Sequence, residues 1–442
     1  MQDSDTIYAL SSGALPSGVA VVRISGDQAR SICEAIAGSL PTPRQAKLMT
    51  LRAAEGGEID QSLVLFFAAP ASFTGEDCIE FHLHGGRATV QAMLDCLSKF
   101  KNTRHAEAGE FTRRAFENGK LDLVEAEGLS DIISAETEMQ RRLAIEQASG
   151  HLSSLYEGWS ETLTHARAMI EAELDFSDED DIPGSVSRTI WQSVERTASD
   201  LRQHLEGSRM GEIIHDGYRI VIAGPPNAGK SSLMNALARR DIAIVTEIAG
   251  TTRDVIEVNL DVNGFAVRLY DTAGLRETLD AVEQEGVRRA RALFENADLI
   301  LLLSDIDAGS SEEERLPDGV DCLRIGTKLD RVIRSEDHEH SYDLLISATT
   351  GEGIETLINA IGERLSSRFS AASMSLPTRE RQVNYLREAL RSLEEALAMK
   401  DVSPEIPAEA LRNAAQALGR ITGRVDVEDL LDVIFSAFCV GK

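Results

Sequence analysis

Gly224-Pro225-Pro226-Asn227-Ala228-Gly229-Lys230-Ser231 decides the fold. The stretch fits G-x-x-x-x-G-K-[ST], the loop that wraps the phosphates of a nucleotide. An apolar run, Ile220-Val221-Ile222-Ala223, precedes it, and a helix-forming run, Ser232-Leu233-Met234-Asn235-Ala236-Leu237, follows. That order of strand, loop and helix is the setting the motif requires. Glycines let backbone N–H groups turn inward towards the phosphates. The helix start adds a partial positive charge. Lys230 is placed for the β- and γ-phosphates, and the Ser231 hydroxyl for Mg²⁺. A Gly-rich turn ahead of an ordinary helix is the simpler reading, and the segments downstream exclude it.

Asp271-Thr272-Ala273-Gly274 follows a strand-like run at 266–270. An Asp at such a strand end is a second Mg²⁺ contact, and the Gly N–H can meet the γ-phosphate. Between the two motifs lies Gly250-Thr251-Thr252-Arg253-Asp254, in the position of a switch, with the Thr252 hydroxyl suited to complete the Mg²⁺ shell. Thr327-Lys328-Leu329-Asp330 follows another apolar run. The Asp330 carboxylate can accept from both guanine N1–H and the exocyclic amine, a donor pair adenine lacks. Ser347-Ala348-Thr349 suits a second base contact. The expected nucleotide contacts are therefore Asn227, Ala228, Gly229, Lys230, Ser231 and Ser232 in the phosphate loop. The switch segment adds Thr246, Glu247, Ile248, Ala249, Gly250, Thr251 and Thr252. Asp271, Thr272, Ala273 and Gly274 follow, then Thr327, Lys328 and Asp330, then Ser347, Ala348 and Thr349.

Two departures from the Ras-type pattern stand out. Thr327 occupies the place of the usual Asn and removes one hydrogen-bonding amide, so looser nucleotide binding is expected. Leu275 stands where Ras-like enzymes carry the Gln that orients the attacking water. Glu283 and Glu285 are replacements by position. From the residues alone, each reads more simply as a solvated helix carboxylate.

The chain has 442 residues, enough for two to four domains, and a formal net charge of −28. Such acidity argues against a large sequence-independent nucleic-acid surface, which needs clustered Lys and Arg. Any RNA is expected to be engaged largely through a more basic partner. No run approaches membrane-spanning length, and the acidic start, Met1-Gln2-Asp3-Ser4-Asp5, does not read as a signal peptide. Five scattered cysteines, without a C-x-x-C pair or zinc spacing, point to a reducing cytoplasm.

The expected fold is multidomain α+β. Residues 1–118 mix short strands and helices. Residues 119–215 are helical, with a break at the acidic run from Asp175 to the Pro183-Gly184 turn. Residues 216–373 hold a Ras-like α/β P-loop domain, with a hairpin turning at Asn263-Gly264. Residues 374–442 return to helix. An α/β domain between helical flanks suggests an insertion into one helical domain. His82 and His84, two apart on one strand, suggest a metal pair only weakly without a third ligand.

At this point the chain resembles the tRNA-modification GTPase family MnmE, also called TrmE. The resemblance is carried by Asp5-Thr6-Ile7, Val21-Val22-Arg23-Ile24-Ser25-Gly26, Ser72-Phe73-Thr74-Gly75-Glu76-Asp77 and His84-Gly85-Gly86. It continues through Gly109-Glu110-Phe111-Thr112-Arg113-Arg114, Asn118-Gly119-Lys120-Leu121-Asp122, the motifs above, and the ending Cys439-Val440-Gly441-Lys442.

The resemblance implies an N-terminal dimerisation domain that binds formyl-tetrahydrofolate, or a related one-carbon folate, through Arg23, Glu80, Lys120 and Lys442. It implies K⁺ held by Asn227, Thr246, Ile248 and Thr251, alongside GTP and Mg²⁺ on Ser231 and Thr252. It makes Glu283 the catalytic residue, overriding the plainer reading of that glutamate. It further implies a homodimer working with an FAD/NADH-dependent partner on C5 of the tRNA wobble uridine. Cys439 beside Phe438 is as consistent with a buried structural thiol as with a redox one, and no catalytic role is assigned to it. A GTP-gated scaffold in ribosome assembly is the alternative, disfavoured because no basic RNA-binding module is visible.

Overall fold

A computed structural model of the protein describes residues 5–175, 185–240, 242–244, 257–271, 293–308, 320–332, 340–369, 374–400, 405–425, 428–436, 438 and 440–441. The described chain divides into two compact units. One comprises Met1–Ser130, Ala148–Asp180 and Met399–Lys442, the other Asp131–Gln147 and Asp181–Ala398.

In the first unit, six strands form a mixed sheet: β1 (Thr6–Leu10), β2 (Ser17–Ser25), β3 (Lys47–Arg52), β4 (Glu58–Phe67), β5 (Cys78–Gly85) and β6 (Thr103–His105). They lie in the order β3-β4-β5-β2-β1-β6, antiparallel except for the β1–β6 pair. Successive side chains along these strands point to two different faces. Val22, Ile24, Val64, Phe66, Ile79 and Phe81 bury one face against the helices Ala29–Ala37 and Arg87–Leu97. The opposite parity places Arg23 and Glu80 in direct register on the other face. The helices His151–Asp175 and Glu405–Thr422 pack against each other in this unit.

In the second unit, β7 (Tyr218–Ala223), β8 (Glu257–Val262), β9 (Phe265–Asp271), β10 (Leu299–Asp305), β11 (Asp321–Thr327) and β12 (Leu344–Leu345) are ordered β12-β11-β10-β7-β9-β8. All neighbours run parallel except β8 and β9. Those two turn through Asn263 and Gly264, both at positive φ, as an Asn-Gly hairpin requires. Both faces of the sheet are buried. Ile220, Ile222, Leu301 and Leu303 point to the helices Lys230–Ala238 and Ile354–Phe369. Val221, Ala223 and Ile300 point the other way, towards Phe294 and Ala297.

The helical stretch before the P-loop is more broken than its periodicity suggests. It comprises Leu123–Ser134, Glu138–Ala148, His151–Asp175, Ser185–Glu206 and Ser208–Asp216. Gly150 takes a left-handed φ of 79° and ends one segment. At the preceding interruption, Thr137 and Gln140 form their own local hydrogen bonds and restart the helix.

Candidate functional site

Five parallel strands end on the same edge of the second sheet, and the predicted nucleotide motifs hang from four of those ends. β7 runs into the phosphate loop. Gly224 has φ +139°, and a Cβ there would lie 2.1 Å from the Leu303 carbonyl oxygen, so only glycine fits between β7 and β10. Asn227 and Gly229 also have positive φ. Gly229 then caps the helix Lys230–Ala238, whose first N–H groups face the loop. Lys230 is buried, and its Nζ donates to the carbonyls of Gly224 (2.8 Å) and Pro225 (3.0 Å). This bond pattern draws the ammonium across the mouth of the loop.

β9 brings Asp271 to the same place. Its side chain is buried, and Oδ2 accepts from the Ser231 hydroxyl at 3.1 Å. Two hard oxygen donors at a strand end and a helix start suit Mg²⁺, which takes oxygen ligands at 2.0–2.1 Å.

β11 ends in Thr327, with its hydroxyl 2.7 Å from the Ala228 carbonyl and 3.1 Å from that of Ser304. Lys328 follows at φ 62° and forms an ion pair with Asp305 at the end of β10. The Lys328 bond holds the Asp305 carboxyl below its ordinary range. Asp330 Oδ1 accepts from the Ser347 hydroxyl at 2.6 Å, and that bond lowers the Asp330 pKa. Ser347 is buried, and its Oγ also accepts from the Thr350 N–H at 3.1 Å. The Ser347 bond thus orients the Asp330 carboxylate. Ser232 stands exposed in the first turn of the helix Lys230–Ala238, and Ala348 and Thr349 lie in the loop after β12.

Residues Thr246, Glu247, Ile248, Ala249, Gly250, Thr251 and Thr252 lie outside the described residues. So do Thr272, Ala273, Gly274, Glu283, Cys439 and Lys442.

In the first unit Arg23 and Glu80 are ion-paired across β2 and β5 at 2.9 Å. Glu80 Oε2 also meets His82 Nε2 at 3.2 Å. The Arg23 guanidinium lies 5.5 Å from the centroid of Phe73 and 5.6 Å from that of Phe111. Lys120 is exposed, and its Cε lies 3.5 Å from where a Cβ on Gly75 would be. A carboxylate, a cation and two aromatic faces fit the mixed polar and aromatic surface of a folate. The family resemblance named Arg23 and Glu80 together as folate contacts. Their register on neighbouring strands, and the two phenylalanines, came only with the sheet. His84 takes a different partner from His82, bonding Asp60 at 2.8 Å. Among the described residues no group of three or more His, Cys, Asp or Glu is placed to hold a metal. Cys33, Cys78, Cys96 and Cys322 are free thiols, and burial pushes the Cys33 thiol up to about 12. Among the described residues no helix is long and apolar enough to cross a membrane.

A family model described as the MnmE helical domain matches residues 123–439, and one described as GTP-binding protein TrmE N-terminus matches residues 6–120. A protein of Rhizobium meliloti (strain 1021), "tRNA modification GTPase MnmE", is 57% identical over 442 residues, spanning 100% of both chains. A protein of Sinorhizobium medicae (strain WSM419) with the same name is 55% identical over 443 residues, again spanning 100% of both. Among solved structures, the G domain of the T. maritima FeoB iron transporter aligns with 33% of this chain and 97% of its own, at 24% identity. Its TM-score is 0.24, too low to bear on the fold.

Proposed function

The chain belongs to the MnmE family of tRNA modification GTPases, and from that premise we propose a potassium-activated, dimerising GTPase whose cycle serves modification of the tRNA wobble uridine. The observation that carries the proposal is the convergence of Lys230, Ser231, Asp271, Thr327 and Asp330 on one sheet edge. Asp330 selects guanine, and the phosphate loop with Lys230 takes the triphosphate. Ser231 and Thr252 hold Mg²⁺, with Asp271 beside Ser231. Glu283 orients the water that attacks the γ-phosphorus, filling the role left open by Leu275.

Asn227, with Thr246, Ile248 and Thr251, holds K⁺. A monovalent cation there supplies transition-state charge that other GTPases draw from an arginine finger. Hydrolysis to GDP and phosphate separates the paired GTPase domains, and that movement drives a complex with an FAD/NADH-dependent partner. The product is an aminomethyl-type or carboxymethylaminomethyl group at C5 of the wobble uridine. The N-terminal residues 1–118 bind the one-carbon folate through Arg23, Glu80, Lys120 and Lys442. Residues 119–215 and 374–442 supply the helical part around the GTPase domain at 216–373. The setting is the cytoplasm.

Mass spectrometry of wobble uridines in a strain lacking this protein tests the reading. Loss of the aminomethyl-type modification, restored by the wild-type gene and not by a Lys230→Ala copy, is the expected result. Intact tRNA modification accompanied by immature ribosomes would overturn it.

A further inference from the structure

Thr327 is buried at the end of β11, with two carbonyl oxygens in range of its hydroxyl: Ala228 at 2.7 Å and Ser304 at 3.1 Å. A hydroxyl has one proton, and a carbonyl oxygen only accepts. Whichever carbonyl receives it, the proton is spent within the protein. What remains on Thr327 Oγ1 is lone pairs. The imidazole side of guanine offers acceptors too, N7 and O6. Lone pairs facing lone pairs make no bond. An Asn side chain at this position has two N–H donors and could serve both the loop and the base. Thr327 can serve only one of them, and the geometry gives its proton to the protein.

The favoured carbonyl belongs to the phosphate loop. Ala228 is buried, two residues before Lys230, and its own N–H is turned back to the Pro225 carbonyl at 3.2 Å. The neighbouring Gly229 packs against the Thr327 side chain, with 3.7 Å between a Cβ built there and Thr327 Cβ. The Thr327 hydroxyl therefore joins the end of the base-reading strand to the loop that holds the phosphates.

We infer that Thr327 is a positioning residue, which braces the phosphate loop at Ala228 and does not read the base, so that side-chain recognition of guanine rests on Asp330. The inference rests on the GTP-site reading and deepens it. It assigns the departure from Asn a definite consequence: the N7 edge of the nucleotide goes unread by this position.

The test compares equilibrium binding of GTP and 7-deaza-GTP, in which N7 is replaced by C–H, to the full-length wild type and to Thr327→Val. In the wild type the two affinities are expected to agree within about twofold. Valine keeps the shape but removes the proton and leaves a buried carbonyl without its donor. Both affinities should then fall together by about tenfold, the scale of one lost buried hydrogen bond. Thr327→Ser keeps the hydroxyl and should bind both nucleotides within about threefold of wild type. It carries the test if the valine variant fails to fold.

Three results would overturn the inference. The valine variant could lose affinity for GTP alone, down to the level of 7-deaza-GTP, which would make Thr327 a reader of N7. It could leave both affinities unchanged, which would remove the brace. The serine variant could fall about tenfold for both nucleotides. Failure of the underlying reading has a separate signature: ATP would compete with GTP on equal terms in the wild type.

Discussion

Ser231 Oγ and Asp271 Oδ2 stand 3.1 Å apart and join the first turn after the phosphate loop to the end of β9. Asp271 is 1% exposed, so its carboxylate needs a donor or a cation close by. Asp271→Asn preserves the shape and still offers an oxygen to Ser231, but it removes the negative charge. The Mg²⁺ concentration for half-maximal GTP binding should rise by about tenfold or more, consistent with losing a charged neighbour of the metal. The nucleotide-free melting temperature should stay close to wild type. A wild-type Mg²⁺ titration in the variant would remove Asp271 from the metal site.

The Ser347 hydroxyl donates to Asp330 Oδ1 at 2.6 Å and orients its carboxylate. Asp330→Asn replaces one acceptor with a donor facing the guanine amine. GTP affinity should drop by about a hundredfold, the range for turning a paired polar contact into a mismatched one. Affinity for xanthosine triphosphate, which carries an oxygen in place of that amine, should rise relative to GTP. Competition binding with the two nucleotides checks this, and unchanged GTP affinity would mean the base sits elsewhere.

On the proposed reading, potassium dependence turns on Asn227, which is exposed on the phosphate loop at φ 63°. GTP turnover should be faster in potassium than in sodium at equal ionic strength. Asn227→Ala should bring the two rates together at the lower value. Equal rates in the wild type would favour an arginine in place of the cation, with Arg253 and Arg276 the first to substitute.

Glu283 and Glu285 are separated by kinetics. Glu283→Ala should slow hydrolysis by about a hundredfold, the scale of one positioned acid–base group, with nucleotide affinity little changed. Glu285→Ala should be near neutral. Similar behaviour of the two variants would return both to the status of surface carboxylates.

How much of this was legible beforehand follows the range of the physics. The phosphate loop was readable because its G-x-x-x-x-G-K-[ST] spacing lies within eight residues, although what forces Gly224 is the Leu303 carbonyl on β10, and the Asn263-Gly264 hairpin because a two-residue turn fixes its own chemistry. The brace from Thr327 to Ala228 was not, because the partner is a backbone carbonyl 99 positions away. The Arg23–Glu80 pair needed the register of β2 on β5, which no local pattern specifies. The breaks near Thr137 and at Gly150 were hidden because apolar periodicity runs across them. Half-buried polar junctions were the least visible. Asp131 belongs to none of the sequence motifs, and it accepts from Arg379, 248 residues on, and from His215.

That last junction sets a pH dependence. His215 Nε2 lies 3.2 Å from Asp131 Oδ1, and Nδ1 lies 2.7 Å from Asp216 Oδ1. Arg379 bonds Asp131 at 2.5 Å, and Arg219 bonds Asp216 at 3.1 Å. Burial works against a charged ring and Arg379 repels it, but the two carboxylates outweigh both and raise the His215 pKa to about 9. The unfolded value is about 6.5. A raised folded pKa means stability that is fully present below about pH 6.5 and is lost as pH rises through about 9. The wild type should therefore lose on the order of 2–3 kcal/mol of stability across that window. His215→Gln keeps hydrogen-bonding capacity without a titrating ring, so it should be weaker at pH 6.5 and nearly flat up to pH 9. Urea unfolding of both proteins at pH 6.5, 8 and 9.5 measures the two slopes. Parallel slopes would show that His215 does not carry its charge in the folded state.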